Sequence, residues 1–310
     1  MFDPERLRFD PQQGVTVRAP TGRGYGYWAG GCKVAYDEEA GRFYLFYRQR
    51  TPLERGRGGW CAVAESTDGI HFTDIWSATK EEFCATSIEV GCPVKDPAGG
   101  WRLYVSYEHV DGRYWRVDVL QGASLAELNV QARRTVLLPQ DYGFTFIKDP
   151  IVYVKEGRYH VYACASPRQR YRVESDGSIV TIGHDATVLL VSEDGLRFPR
   201  ARYVFEPTGE GWDGLRGRIN CLISMEEGYA AFYDGGSGYY DNYEEWCGLA
   251  YSPDGVRFER LTRAGPWVRS PHGCVRYVYG LRVEDWLYCY YEYTRADLSH
   301  ELRVNRIALR

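Results

Sequence analysis

Ser66-Thr67-Asp68-Gly69-Ile70-His71-Phe72, Ser192-Glu193-Asp194-Gly195-Leu196-Arg197-Phe198 and Ser252-Pro253-Asp254-Gly255-Val256-Arg257-Phe258 are one phrase written three times in a chain of 310 residues. In each, Asp-Gly reads as a tight hairpin turn between a strand that ends in Ser and one that carries an apolar-x-Phe alternation. A phrase that returns in the same role marks a repeat architecture, and the repeat decides the fold before any single element does.

Upstream of each phrase lies a second hairpin. Cys32 to Tyr36, a turn at Asp37 to Gly41 and Arg42 to Tyr47 give its first form. It returns as Pro93-Val94, Lys95 to Gly100 and Trp101 to Tyr107, and as Ile151 to Val154, Lys155-Glu156-Gly157 and Arg158 to Ala163. It returns again as Cys221 to Ser224, Met225 to Gly228 and Tyr229 to Tyr233, and last as Val275 to Tyr279, Gly280 to Asp285 and Trp286 to Tyr291. The second unit replaces Asp-Gly by Gln121-Gly122-Ala123-Ser124, and the fifth closes near Val304 to Leu309. Five units of four strands have the length of propeller blades. The fold expected is all-β: a five-bladed β-propeller with four antiparallel strands per blade. It forms one domain over residues 1–310, with blades near 28–78, 86–130, 145–206, 214–264 and 270–310.

Composition agrees with that reading. Tyr 26, Trp 9, Phe 12 and Gly 34 against two Met describe strand and turn formers. A net charge of −4 with interspersed signs offers no basic stripe for nucleic acid. No apolar run approaches the roughly 18 residues of a membrane span, and Met1 to Arg6 lacks a signal pattern, so a cytoplasmic protein is expected. Nine cysteines without a CxxC pair read as free thiols. Cys32, Cys92, Cys221 and Cys274, with Pro150 in the remaining unit, are expected at one place in the inner strands, where a small apolar residue packs near the axis.

If the strands alternate up and down, the a–b and c–d turns share one face, and the starts of strand a share the other with the b–c loops. The second face collects the long loops, where function concentrates. It carries Gly30-Gly31, Arg48-Gln49-Arg50, Glu89, Glu108-His109, Lys148-Asp149, Arg218, Asn220, Asp234 to Glu245, His272 and Glu292.

The run Phe146-Ile147-Lys148-Asp149-Pro150-Ile151-Val152 resembles the Asp-Pro opening of inner strands in the five-bladed furanosidase superfamily of arabinanases, xylosidases and invertases, the family 43-like glycoside hydrolases. The resemblance implies that Asp149 orients substrate and adjusts the pKa of the acid. Pro271-His272-Gly273-Cys274 resembles the arabinanase His-Gly whose imidazole faces the central channel, which makes His272 a candidate ligand for a structural calcium ion there. No cofactor is otherwise required. The segments Tyr233-Asp234-Gly235 and Asn242-Tyr243-Glu244-Glu245 resemble uncharacterised propeller glycosidases. One departure stands out: the family places a catalytic Asp at the opening of blade one, where this chain has Trp28-Ala29-Gly30-Gly31-Cys32-Lys33.

Glycoside cleavage uses two carboxyl groups in unlike surroundings. Glu89, among the apolar neighbours of Ser87-Ile88-Glu89-Val90-Gly91, is the expected acid, its pKa raised by desolvation. Asp149 is expected to stay ionised. Asp234, then Glu245 and Glu244, are the candidates for base or nucleophile. Trp28, Arg50, Arg218, Asn220, Arg276 and Tyr243 are expected to bind a carbohydrate, the aromatic residues by stacking and the arginines by bidentate contact with carboxylate or phosphate. The function expected is glycoside hydrolysis. A phosphorylase that holds phosphate with arginines needs only one protein acid and is the first alternative. A non-catalytic sugar-binding or scaffold propeller is the second.

Overall fold

In the computed structural model the three phrases adopt one geometry. Asp68 Oδ1 accepts from the amides of Ile70 and His71 at 2.8 Å, and Ser66 Oγ accepts from Gly69 N at 3.0 Å. Asp194 with Ser192 and Asp254 with Ser252 repeat the pattern within 0.1–0.2 Å of these lengths. Gly69, Gly195 and Gly255 sit at φ of 73°, 67° and 76°, the left-handed region that glycine enters without strain. The whole phrase forms the connection: Gly58–Ser66 ends before it and Thr73–Thr79 begins after it, so Ile70-His71-Phe72 is turn rather than strand. Each turn is also clipped from outside. Tyr290, Tyr104 and Tyr162 donate their hydroxyls to the carbonyls of Gly69, Gly195 and Gly255 at 2.7, 2.8 and 2.8 Å. The donor comes from the preceding unit in each case, and for Gly69 it comes from the last.

The structure describes residues 3–111, 114–166, 185–238 and 244–309, together with 175, 177 and the backbone of 170–173 and 179–182. Strands dominate, and the helical turns among the described residues are short 3₁₀ pieces. Antiparallel meanders follow one another along the sequence. Trp28–Asp37, Arg42–Arg50, Gly58–Ser66 and Thr73–Thr79 form the first, and Ala85–Lys95, Trp101–His109, Trp115–Gly122 and Arg134–Leu137 the second. Phe146–Lys155, Arg158–Ser166, Ala186–Ser192 and Ala201–Phe205 form the third. Arg218–Ile219 and Ile223–Ser224 pair with Tyr229–Gly235, which continues to Trp246–Ser252 and Glu259–Arg260. Val275–Val283, Trp286–Thr294 and His300–Ala308 come last, and His300–Ala308 takes Val15–Arg18 as its outer neighbour. The outermost strand of the second meander lies beyond residue 130, where that unit was expected to end.

The inner strands share an irregularity. Register shifts fall between Gly30 and Lys33, Ile88 and Gly91, Lys148 and Ile151, and Arg276 and Tyr279. Each is a bulge of the kind that re-aims side chains. They align Gly31, Glu89, Asp149 and Tyr277. Cys32 lies within its bulge, Cys92 pairs regularly with Tyr104, and Cys274 precedes its strand, so the cysteines do not share one register position as expected. Eight of the nine are buried and all are free. No helix among the described residues is long and apolar enough to cross a membrane.

The inner strands converge on Lys33. Its Nζ lies 5.9 and 5.3 Å from the ring centres of Tyr277 and Tyr279, and Cys92, Asp149 and Cys221 of the second, third and fourth meanders act on its charge.

Candidate active site

A cation stands at the head of the inner strand in three meanders, and in two of them, at Lys148 and Arg276, it directly precedes the bulge. Lys148 stands opposite Cys164, Arg218 opposite Asp234 and Arg276 opposite Glu292. Across from Gly30 the order is reversed, with Arg48 on the second strand. The residue after the cation turns inward with a left-handed backbone, Asp149 at φ 55° and Tyr277 at φ 52°, and Gly31 matches them at 63°.

These side chains link into a circuit of alternating charge. Glu89 accepts from Arg48 Nε at 3.1 Å and from Arg50 Nη1 at 3.2 Å. Arg48 Nη2 lies 3.5 Å from Glu292 Oε2, and Glu292 Oε1 takes Nε of Arg276 at 2.9 Å. Arg276 Nη1 reaches Glu245 at 2.7 Å, whose other oxygen lies 3.5 Å from Arg218 Nη2. Arg218 donates to Asp149 at 3.0 Å and to Asp234 at 2.7 Å, and Lys148 Nζ lies 3.9 Å from Asp149. Every member except Lys148 is buried. Charges removed from water in this way persist only when paired, so the circuit sets the geometry of the face.

The circuit also sets protonation. Burial raises the carboxyl of Glu89, but Arg50 and Arg48 outweigh it and hold the group well below the usual carboxylate range. This direction is opposite to the one expected for an acid: the neighbours that matter are guanidiniums brought in from another strand, not the apolar residues adjacent in sequence. Burial likewise raises Glu245 and Glu292, and the arginines hold both low. Asp234 moves the other way, raised chiefly by burial. The stability consequence has a definite sign. A depressed carboxylate contributes stability that is present above its ordinary value of 4.5 and lost as pH falls below it, whereas a raised Asp contributes in the opposite sense. With Glu89, Glu245 and Glu292 against Asp234, the unfolding midpoint in urea is expected to drop steeply from pH 5 towards pH 3. An unchanged midpoint over that range would contradict ionised carboxylates in the circuit.

Other expected residues fall into three groups. Glu89, Asp149, Glu245, Arg50, Arg218 and Arg276 are brought together. Asp234 is present but 0 % exposed, its oxygens turned to Arg218 and to the amide of Tyr277 at 3.1 and 3.2 Å, an arrangement that speaks against the expected base role. Asn220 is buried beside it. Trp28 is no open stacking platform: it is buried against His300, rings 4.8 Å apart and 17° from parallel, between Arg50 and Arg276. Glu244 accepts from His300 Nε2 at 3.0 Å, with the nitrogen taken as protonated, and from Cys274 N at 3.1 Å. Tyr243 lies outside the described residues. His272 is exposed at the surface, and the buried imidazole is His300, held by Glu292 and Glu244.

The channel residues do not match a calcium donor set. Calcium takes six to eight oxygens, carboxylates prominent among them. Where the inner strands meet stand Lys33, whose buried Nζ has no hydrogen-bond partner among the described residues, the thiols of Cys32, Cys92 and Cys221, and the rings of Tyr277 and Tyr279.

Lys33, Tyr277, His300 and the deep placement of Glu292 are what sequence reasoning missed. A signal for Tyr277 existed in the pairs Lys148-Asp149 and Arg276-Tyr277, a cation followed by the bulge residue. His300 had none, since its partners Trp28 and Glu244 lie far from it in sequence and meet it only in the folded chain.

The fold is shared with solved glycoside hydrolases of family 43. A β-1,2-mannobiose phosphorylase from Listeria innocua, in complex with β-1,2-mannobiose, shares it at TM-score 0.64 and 16% identity, over 99% of this chain and 96% of that one. A thermostable family-43 glycoside hydrolase does so at 0.65 and 14% identity, over 94% and 91%. The protein BT0996, in its RGII complex, does so at 0.71 and 13% identity, over 97% and 92%. No protein-family model matches the sequence, and no curated protein matches it.

Proposed function

We propose that the protein is a single five-bladed propeller, four strands to a blade, and a carbohydrate-active enzyme that acts as a glycoside hydrolase. The convergence of successive inner strands on Lys33 supports the closed ring, with Val15–Arg18 as the outer strand of the last blade. One observation carries the catalytic reading: Glu89 and Asp149 occupy the same bulge position on adjacent inner strands, so both carboxylates turn to one centre with the Lys148 ammonium between them. Asp149 Oδ1 takes no hydrogen bond from the described residues, which leaves an oxygen to orient a sugar hydroxyl. Glu89, held ionised, is the base that takes a proton from water or the nucleophile that attacks the sugar.

The arginines argue less for phosphate than their number in the sequence did. Arg48, Arg50, Arg218, Arg276 and Lys148 are balanced by Glu89, Asp149, Asp234, Glu245 and Glu292, so these residues leave no surplus cation for an anion. Free thiols throughout support a reducing, cytoplasmic location, and Lys33 in the channel supports a site that works without calcium.

The test is turnover of 4-nitrophenyl xylosides, arabinofuranosides and mannosides and of the matching disaccharides, with and without inorganic phosphate. Release of free sugar without phosphate is expected. Turnover only with phosphate, giving a sugar 1-phosphate, would replace hydrolysis by phosphorolysis, and silence on every substrate would sink the enzyme reading.

A further inference from the structure

Beside the charge circuit, three side chains of metal-binding type meet. Glu244 precedes the strand Trp246–Ser252, Cys274 precedes Val275–Val283, and His300 opens the last strand. Glu244 is 30 residues from Cys274 and 56 from His300 in sequence. Folding brings Glu244 Oε1 to 3.0 Å and Cys274 Sγ to 4.0 Å from His300 Nε2, and the three ligand atoms lie within 4.8 Å of one another. Cys274 and His300 are fully buried, whereas the Glu244 side chain is 31% exposed and gives the cluster a side open to solvent.

The surroundings orient these atoms as ligands. His300 Nδ1 lies 2.8 Å from Glu292 Oε1, and Arg276 and Arg48 hold that carboxylate ionised. An ionised carboxylate only accepts, so Nδ1 carries the hydrogen and Nε2 is the nitrogen left to bind. An imidazole that binds a metal characteristically gives its other N–H to a carboxylate in this way, which fixes its tautomer and raises its basicity. Trp28, stacked on the ring at 4.8 Å and 17°, sets the ring plane. Glu244 Oε2 accepts from the Cys274 amide at 3.1 Å and lies 3.1 Å from Thr294 Oγ1, which leaves Oε1 to turn to Nε2. The same Thr294 hydroxyl lies 3.1 Å from Cys274 Sγ. A Cβ at Gly273 would stand 2.6 Å from Glu244 Oε2, so the chain has a glycine where the carboxylate comes in.

We propose that Glu244, Cys274 and His300 bind a divalent transition-metal ion of the zinc class, with water in a fourth position on the exposed side. A thiolate, an imidazole and a carboxylate together suit zinc and not calcium or magnesium, which take oxygen ligands. Tetrahedral zinc sets its ligand atoms about 3.3–3.7 Å apart. The nitrogen–oxygen edge is already as short as that. The sulfur, 3.9 and 4.0 Å from the two ring nitrogens, lies over the ring and closes on the ion by rotation about its Cα–Cβ bond. Binding sends two protons to solvent: the Cys274 S–H bond breaks as sulfur bonds to the ion, and the hydrogen between Nε2 and Glu244 gives up its place. Burial raises the Cys274 thiol well above its ordinary value, and a bound divalent ion offsets that rise by removing the proton outright. The ion ties the start of Trp246–Ser252 to both the first and the last strand of the final meander.

The test needs no substrate and is independent of the hydrolase reading. The full chain, stripped with a chelator, is titrated with Co2+ and followed by absorption. One equivalent is expected to bind, with a sulfur-to-cobalt charge-transfer band in the near ultraviolet and the intense visible bands of a four-coordinate ion. One equivalent of Zn2+ should bleach both. Cys274→Ser is expected to lose the charge-transfer band, and Glu244→Gln, at the partly exposed ligand, to weaken cobalt binding by at least about tenfold. Cys84→Ser controls for the exposed thiol and should leave the spectrum unchanged. A wild type that takes up no cobalt would overturn the site and leave His300 as an imidazole clamped between two carboxylates, a result that does not depend on how any variant folds. A charge-transfer band that survives Cys274→Ser, or vanishes with Cys84→Ser, would overturn it equally.

Discussion

Glu89→Gln is expected to lower kcat by about a thousandfold with KM little changed, measured on the best substrate of the wild type. Gln keeps the shape, with one oxygen for Arg48 or Arg50 and an amide donor in place of the other, and it can neither take a proton from water nor attack the sugar. Because those arginines hold Glu89 ionised, the acid limb of kcat/KM in the wild type is expected below pH 4.5, outside the ordinary carboxylate range. A variant that keeps its circular dichroism spectrum and more than a tenth of wild-type turnover would remove Glu89 from the chemistry.

The second large effect is on stability. Arg218 is the cation shared by Asp149, Asp234 and Glu245, and it is buried together with all of them. Arg218→Met retains much of the side-chain volume and leaves those carboxylates without their common partner. Removing one member of a buried ionic network costs about 3–5 kcal/mol because the remaining charge is stranded, not because the pair was worth that much. For a domain of this size the melting temperature is expected to fall by on the order of 10 °C at neutral pH. The loss should shrink as pH falls and the stranded carboxylates protonate. A fall of less than about 2 °C would show that water reaches these carboxylates and that the circuit is not a buried one.

Legibility differed between the fold and the site. The repeated Ser-x-Asp-Gly phrase was readable because its chemistry is local: an Asp oxygen takes amides two and three residues on, and a glycine adopts a left-handed φ. What the phrase did not disclose is that Tyr104, Tyr162 and Tyr290 reach in from preceding units to fasten it, a contact that spans up to 221 residues of sequence. That Glu89 and Asp149 stand together at the heads of neighbouring inner strands was readable from their place in the repeat. The protonation of Glu89 was not, because Arg48 and Arg50 lie about forty residues away in sequence and within hydrogen-bond distance in space. His272 illustrates the same limit. A short motif singled it out, yet the buried imidazole is His300, carried on the last strand and seated on Trp28.

The amino-acid sequence by itself determined the strands, their turns and the repeat that stacks them, because periodicity, turn chemistry and residue size act between near neighbours. It also determined which charged residues stand at the heads of the inner strands. Only the tertiary structure decided which charge meets which: that the space beside Gly30, where a Cβ would lie 2.0 Å from Glu292 Oε2, is filled by a carboxylate from the far end of the sequence. It likewise decided that Lys33 is buried where the inner strands meet, against the rings of Tyr277 and Tyr279, its ammonium without a hydrogen-bond partner among the described residues. Coulomb interactions and desolvation depend on distance through space and on the exclusion of water, and neither quantity exists until strands distant in sequence have been packed together.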